Sequence, residues 1–168
     1  MKSALSALSL LVALPAVALD LVRDGKPIAT IVAAAPIEVA ESAPAKGKAA
    51  PKRKPAPETD EQYAVRVLNE WVKKITDTEL PIAGQAPVNG PAIFVGQAAL
   101  AAGLKLDDIA SLSREGVRIV ADGKRVLIAG QSEAATLKAV CRFLEALGCR
   151  YLMADPLGEV FQIGRAHV

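Results

Sequence analysis

The chain offers few residues whose type and spacing fit a known catalytic arrangement. Its 168 residues include two cysteines and one histidine. It has no glycine-rich phosphate loop, no H-E-x-x-H zinc motif and no C-x-x-C redox motif. The histidine is His167, in a tail (residues 163–168) that we interpret as artefactual, so a serine–histidine or cysteine–histidine nucleophile is not expected. Carboxylates are the remaining candidates for chemistry.

Glycosidases place two carboxylates on one sugar bond, roughly 5 to 9.5 Å apart. The acids considered for such a pair are Asp107, Asp108, Glu115, Asp122, Glu145 and Glu159. Asp122 begins a hairpin turn, and Asp107 and Asp108 precede a helical turn. Glu115 and Glu145 fall on solvated faces, and Glu159 lies near the predicted tail. These positions indicate structural roles, and we predict no catalytic residue, no metal ligand and no cofactor in the chain.

Two cysteines and two aromatic residues each have a structural and a functional interpretation. Cys141 and Cys149 lie on a predicted helix and in the following strand. They could pair in an oxidising compartment, but a helix–strand corner favours two buried thiols. Trp71 and Tyr151 could stack on sugar rings. Trp71 lies on the apolar stripe of a helix, which favours core packing.

Two amphipathic helices are predicted to position these residues. Thr59 and Gln62 form a capping box that starts a helix over residues 60–76. Ser132 caps a second helix that ends near Leu147, with Gly148 as its C′ residue. Its apolar stripe is predicted to contain Leu137, Val140, Cys141, Leu144 and Leu147, with Phe143 beside it.

Turn signals between β-prone runs predict a sheet. Asp24-Gly25 joins two short runs, and Asp122-Gly123 joins the runs 116–121 and 124–130. Residues 92–96 form a further strand, residues 97–102 a weak helix closed by Gly103, and residues 149–152 a final strand. The predicted fold class is α+β: a mixed, largely antiparallel sheet with helices packed on it, as an α/β sandwich accessory domain.

The basic character of the chain comes from one tract. Residues 41–58 hold five cations and two acids among alanines and prolines, whereas residues 59–162 hold eleven basic and thirteen acidic residues. The tract lacks large apolar side chains, so we predict a disordered linker, with contact to an anionic surface as a second interpretation. The folded part has no basic face with interleaved aromatics, and nucleic acid is not an expected partner.

Both ends of the chain are predicted to lie outside the folded domain. Residues 4–17 are apolar but shorter than the roughly 20 residues that span a bilayer. Ala16-Val17-Ala18 fits a cleavage site, so we predict a signal peptide (1–18) cut after Ala18, export to the periplasm or medium, and no membrane span. Residues 163–168 (IGRAHV) match a translated sequencing adapter, so we expect the native sequence to continue differently after Gln162.

The segments LVRDGKPIATIV, LNEWVKKITDTELPI, AIFVG, GVRIVADGKRVLIAG and FLEALGCRYL with PLGE resemble the N-terminal domain of α-glucuronidase-type glycoside hydrolases. The resemblance covers residues 19 to about 161 apart from the linker, with residues 19–40 as the first hairpin and 59–162 as the remainder of the domain. It implies a domain like the second domain of hexosaminidases, which precedes a TIM barrel that carries the catalytic carboxylates.

The resemblance therefore implies a truncated, non-catalytic domain of a secreted hydrolase acting in polysaccharide degradation. Its expected partners are the missing C-terminal TIM barrel of the same protein and a polysaccharide. An alternative is a stand-alone carbohydrate-binding or surface-interaction module, which would need exposed aromatics on a flat face. A third hypothesis, an interaction protein acting through its linker, depends only on the Lys/Pro tract.

Overall fold

A computed structural model of the chain describes residues 20–34, 58–151 and 158–160. The predicted signal peptide, all but residue 58 of the predicted linker, and the predicted tail lie outside these residues. The elements of the described part are, in chain order, β1 (Val22–Arg23), β2 (Lys26–Pro27), β3 (Thr30–Val32), α1 (Asp60–Thr76), β4 (Ile82–Ala83), β5 (Ala92–Val95), α2 (Gln97–Ala101), β6 (Val117–Asp122), β7 (Arg125–Gly130), α3 (Glu133–Ala146), β8 (Arg150–Tyr151) and β9 (Glu159–Val160).

Five of these strands form one mixed sheet in the order β4-β3-β5-β7-β6. The β4–β3, β3–β5 and β5–β7 pairs are parallel, and the β6–β7 pair is antiparallel. The predicted α+β class with a mixed sheet is confirmed. Parallel pairs outnumber antiparallel ones in this sheet, unlike the largely antiparallel arrangement expected. Hairpins leave a short-range signal in a sequence, whereas parallel strands pair through long crossovers that leave none.

The turn of the first predicted hairpin is confirmed, but most of its second β-prone run forms β3, which pairs in parallel with β4 and β5 instead. β1 and β2 are antiparallel, and Arg23 pairs with Lys26, so Asp24 and Gly25 form the two-residue loop. Both loop residues have positive φ, 53° and 68°. This is the backbone of a type I′ turn, which an Asp-Gly dipeptide adopts readily.

The second hairpin is confirmed, but its turn lies one residue further along than predicted. Asp122 pairs with Arg125, so Gly123 and Lys124 form the loop and Asp122 ends β6. Gly123 has a φ of 56° at the first loop position, the place that a type II′ turn reserves for glycine. Asp122 instead forms an ion pair with Arg125, 2.5 Å between Oδ2 and Nη2.

α1 begins at the predicted capping box. The Thr59 hydroxyl accepts the N–H of Gln62 at 3.2 Å, and the Gln62 side chain accepts the N–H of Thr59 at 3.0 Å. The helix connects β3 to its parallel neighbour β4 and packs one face on the sheet. The buried residues of that face recur at helical spacing: Ala64, Val65, Leu68, Val72 and Ile75.

α3 begins at its predicted Ser132 cap and ends in a Schellman motif. The N–H of Gly148 donates to the Glu145 carbonyl, and the N–H of Cys149 donates to the Leu144 carbonyl, each at 3.0 Å. Gly148 takes a φ of 93°, which glycine adopts without strain. The motif turns the chain from α3 into β8, so the predicted helix end is confirmed.

The predicted stripe of α3 is confirmed at Val140, Leu144 and Leu147, which are buried, but the buried face is shifted toward Phe143. Phe143 lies at its centre, 1% exposed, whereas Cys141 is exposed. A stripe through Cys141 was expected because Leu137 and Leu144 share its face in the sequence pattern. Leu137 is only partly buried, because the face that contacts the core is shifted toward Ala139 and Phe143.

The core occupies both faces of the five-stranded sheet. Alternate strand residues, including Ile93 and Ile128, point toward α1 and α3 and form the larger cluster. The residues between them point to the other face and pack against α2 and the segment after it. This second cluster consists of Val32, Ala92, Phe94, Ala99, Leu104, Leu127 and Ala129.

Candidate functional site

A cleft opens at the carboxyl ends of the parallel neighbours β5 and β7. β5 runs through Gly96 into α2, and β7 ends at Gly130 and runs through Ser132 into α3. The crevice outside the carboxyl ends of parallel strands is where ligands bind in open α/β sheets. Its volume of about 650 Å³ lies within the roughly 300–1,000 Å³ range of small-molecule sites.

Glu61, in the first turn of α1, closes one side of this cleft. Both of its carboxylate oxygens lie near the backbone N–H of Gln97, at 3.2 and 3.3 Å from the nitrogen. Burial raises the pKa of the Glu61 carboxyl; the hydrogen bond from Gln97 opposes that shift, and the negative charge of Glu133 adds to it. The cleft therefore holds two interacting carboxylates, one of them half-buried.

Gly96 makes room for this carboxylate. A Cβ atom at Gly96 would lie 2.3 Å from the Glu61 carboxyl carbon, and the residue has a φ of 58°. The positive φ favours glycine, and a side chain at this position would also have to displace the Glu61 carboxylate. The start of α1 thus contacts the β5–α2 turn directly, through the Glu61 carboxylate against the backbone of Gly96 and Gln97.

The opposite wall is held by hydrogen bonds to backbone groups. The Gln131 amide donates to the Ile109 carbonyl at 2.9 Å and accepts the N–H of Gly116 at 3.1 Å. The Thr136 hydroxyl accepts the N–H of Gly130 and donates to the Ser132 carbonyl, each at 3.1 Å. The strand end and the helix start are therefore fixed relative to each other.

The rim and floor of the cleft differ in polarity. Four rim side chains form no hydrogen bond or ion pair with any part of the chain that the structure describes: Gln97, Lys105, Asp107 and Glu133. The floor is apolar and consists of Leu100, Leu104 and Leu106. The cleft thus combines solvent-exposed polar side chains that no other described residue engages with an aliphatic part of its lining.

Five of the six carboxylates considered from the sequence form ion pairs, and these pairs are spread over different parts of the fold. The pairs are Asp108–Arg118, Glu115–Lys138 and Glu145–Arg142, each at 2.9 Å, and Asp122–Arg125 and Glu159–Lys74, each at 2.5 Å. The hydrogen bonds from Arg118 lower the pKa of Asp108. Asp107 is the exception, since it lines the cleft.

A second, smaller concavity lies between the outer sides of α1 and α3. This groove, of about 160 Å³, is lined by Val67, Trp71, Cys141, Leu144, Glu145, Cys149 and Arg150. Trp71 is partly buried and packs against the larger core cluster, with the Lys74 ammonium 5.0 Å from its ring centre. Core packing of Trp71 is therefore borne out. The side chain of Tyr151 lies outside the described part.

The two cysteines end up in different environments beside this groove. Cys149 is 4% exposed and belongs to the core cluster, whereas Cys141 is exposed. The expectation of two buried thiols is therefore correct for Cys149 and wrong for Cys141, because α3 is rotated. Both thiols are free. Burial is the main cause that raises the pKa of each, and the Glu145 charge adds to the shift at Cys141.

The cleft was not visible as a site in the sequence. Glu61 stands in the first turn of a helix, where an acid is expected to interact with the helix dipole. Glu133 occupies the equivalent place in α3. One available signal was the pair of glycines, Gly96 and Gly130, directly after the strands that meet at the cleft.

A scan of the chain against protein-family models finds no match, and a search of curated proteins finds none either. Within residues 20–34, 58–151 and 158–160, no helix has the length and apolar character to cross a bilayer. The same residues contain no group of three or more side chains placed to hold a metal ion.

Proposed function

We propose that this chain forms the N-terminal, non-catalytic domain of a secreted glycoside hydrolase of the α-glucuronidase type, acting in polysaccharide degradation. The proposal extends the resemblance of residues 19–161 to such domains. A layered α+β domain with two helices side by side on one face of its sheet is compatible with that family.

The observation that carries the proposal is the groove between α1 and α3. It exposes part of Val67 and Trp71 on the outer side of the helix pair, next to Leu144. A partly exposed apolar strip that includes a tryptophan is typical of a surface that contacts another domain. The proposed occupant is the catalytic barrel that follows in the same protein.

The ion pairs formed by the carboxylates considered in the sequence analysis support a non-catalytic role for the domain. Asp108, for example, is held by both terminal nitrogens of Arg118. Such a pair keeps the carboxylate ionised and fixed, which suits a structural contact rather than a general acid.

The native gene provides the first test. Genomic sequencing across codon 162 should find an open frame of several hundred codons with alternating strand and helix patterns. A stop codon close to that position would contradict the proposal.

The downstream region provides the second test. Produced separately, it should bind this chain, and Trp71→Ala should weaken the binding at least tenfold because the ring is lost from the groove. Leu112→Ala is the matched control, since Leu112 is fully exposed and lies outside the groove. Equal binding by both variants would exclude the groove as the contact.

A further inference from the structure

We infer that the cleft at the carboxyl ends of β5 and β7 is a binding site for a neutral sugar residue. The inference gives the domain a ligand of its own, which the proposed function does not assign. It depends on the residues of the cleft and not on the groove between α1 and α3, so the two can fail separately.

The first support is that the cleft is already shaped without a ligand. Glu61 and Gln97 connect one wall, and Gln131, Thr136 and Ser132 fix the other. These are hydrogen bonds to backbone groups at strand and helix ends, so binding requires little ordering of the walls. Preformed walls reduce the entropic cost of binding.

The second support is a set of solvent-exposed polar side chains on the rim that are not engaged by other described residues. Asp107 and Glu133 offer carboxylate oxygens, Gln97 offers both a donor and an acceptor, and Lys105 offers donors. These groups come from three parts of the lining: α2, the segment that follows it, and the first turn of α3. A ligand that carries several hydroxyls can use many of them at once, because each hydroxyl both donates and accepts.

The third support is the charge balance, which favours a neutral ligand. The titratable lining comprises the acids Glu61, Asp107 and Glu133 and the bases Lys105 and Arg114. The first turn of α3 adds a partial positive charge of roughly half a unit. The two signs nearly cancel, so neither a strongly anionic nor a strongly cationic ligand gains much from the site.

The fourth support is the aliphatic floor. Leu100, Leu104 and Leu106 form an apolar surface beneath the polar rim. A pyranose ring combines a face of C–H groups with a rim of hydroxyls, and that distribution matches the cleft. Burial of the C–H face on the leucines then adds a hydrophobic contribution.

Nuclear magnetic resonance of the ¹⁵N-labelled full chain tests this inference. Titration with D-xylose to about 100 mM detects dissociation constants of that order. The amide signals of Gln97, Ser132 and Glu133 should shift together and saturate. Parallel titrations with D-glucuronate and D-glucosamine compare an anionic and a cationic ring of similar shape. Absence of shifts with xylose, or tenfold tighter binding of either charged ring, would overturn the inference.

Two variants on one helix localise the binding. Glu133→Ala should weaken xylose binding at least tenfold, since it removes a carboxylate acceptor from the rim. Glu145→Ala removes an exposed carboxylate near the other end of α3, outside the cleft, and should leave xylose binding unchanged. An equal loss in both variants would place the binding elsewhere and overturn the assignment.

Discussion

The cleft at the strand ends and the groove between α1 and α3 are built from different parts of the chain. The cleft walls are backbone segments joined by Glu61, Gln131 and Thr136, and its rim is charged. The groove is made by the sides of two helices and is lined mainly by apolar residues. Fixed backbone positions polar groups well enough to select a small ligand, whereas packed helix sides suit contact with a second domain.

The comparison predicts that Leu144 of the groove contributes more to the free energy of unfolding than Leu100 of the cleft. Leu144 lines the groove but is 4% exposed and belongs to the larger core cluster. Leu144→Ala should lower the free energy of unfolding by about 2–5 kcal/mol, because it leaves a cavity. Leu100, on the cleft floor, is half-buried, and Leu100→Ala should cost only about 1–2 kcal/mol. Urea denaturation of both variants measures the difference, and equal costs would contradict it.

The cleft should instead be sensitive to a change in its backbone. A Cβ atom at Gly130 would lie 2.3 Å from the Ala135 carbonyl carbon and 2.6 Å from the Thr136 nitrogen. Gly130→Ala should therefore push α3 from the strand end and cost about 1–3 kcal/mol.

Gly84→Ala is the matched control for Gly130→Ala. No atom lies within 4 Å of a Cβ built at Gly84, so the change should stay within about 0.5 kcal/mol of the parent chain. A stable Gly130→Ala variant with intact Thr136 hydrogen bonds would show that the wall is not fixed by this contact.

Protonation of Glu61 should give the cleft a pH dependence. Burial raises the pKa of the folded-state carboxyl above its ordinary value of 4.5. The folded chain then binds the proton more tightly than the unfolded chain does. The resulting stability is present below the unfolded-state pKa and is lost as the pH rises through the folded-state pKa.

Glu61→Gln should abolish this dependence, because an amide keeps an acceptor for the Gln97 N–H without a charge. As the pH rises above about 4.5, the parent chain should lose stability relative to the variant, by less than about 1 kcal/mol since solvent screens a half-buried group. Thermal unfolding at a series of pH values measures the effect. Glu133→Gln should reduce the slope, because it removes the nearby charge; a steeper slope would refute the coupling.

Local features of the fold were predictable from the sequence. The capping box of α1, the Ser132 cap and Gly148 end of α3, and the two hairpins depend on residues close together in the chain. Each of these features is a short-range arrangement of side chain and backbone.

Features that depend on distant segments were not predictable in the same way. The parallel pairing of β5 with β7, and with it the cleft, joins segments separated by α2 and β6. The rotation of α3 that buries Phe143 and exposes Cys141 follows from packing on the sheet. Tertiary contacts decided both outcomes, and the hydrophobic periodicity of a single segment carries no information about such contacts.

The reactivity of the cysteines provides the last test and the one with the smallest expected effect on stability, because the rate of alkylation measures how accessible the groove is. Alkylation by iodoacetamide above pH 9 should modify exposed Cys141 at least tenfold faster than Cys149, which is 4% exposed. Near pH 7 both reactions should be slow, since partial desolvation of each sulfur raises the pKa of both thiols and the Glu145 charge adds to the shift at Cys141. Binding of the downstream domain in the groove should then protect Cys141 while leaving the amide shifts induced by xylose unchanged. Protection of Cys141 by the sugar instead would mean that the cleft and the groove are coupled.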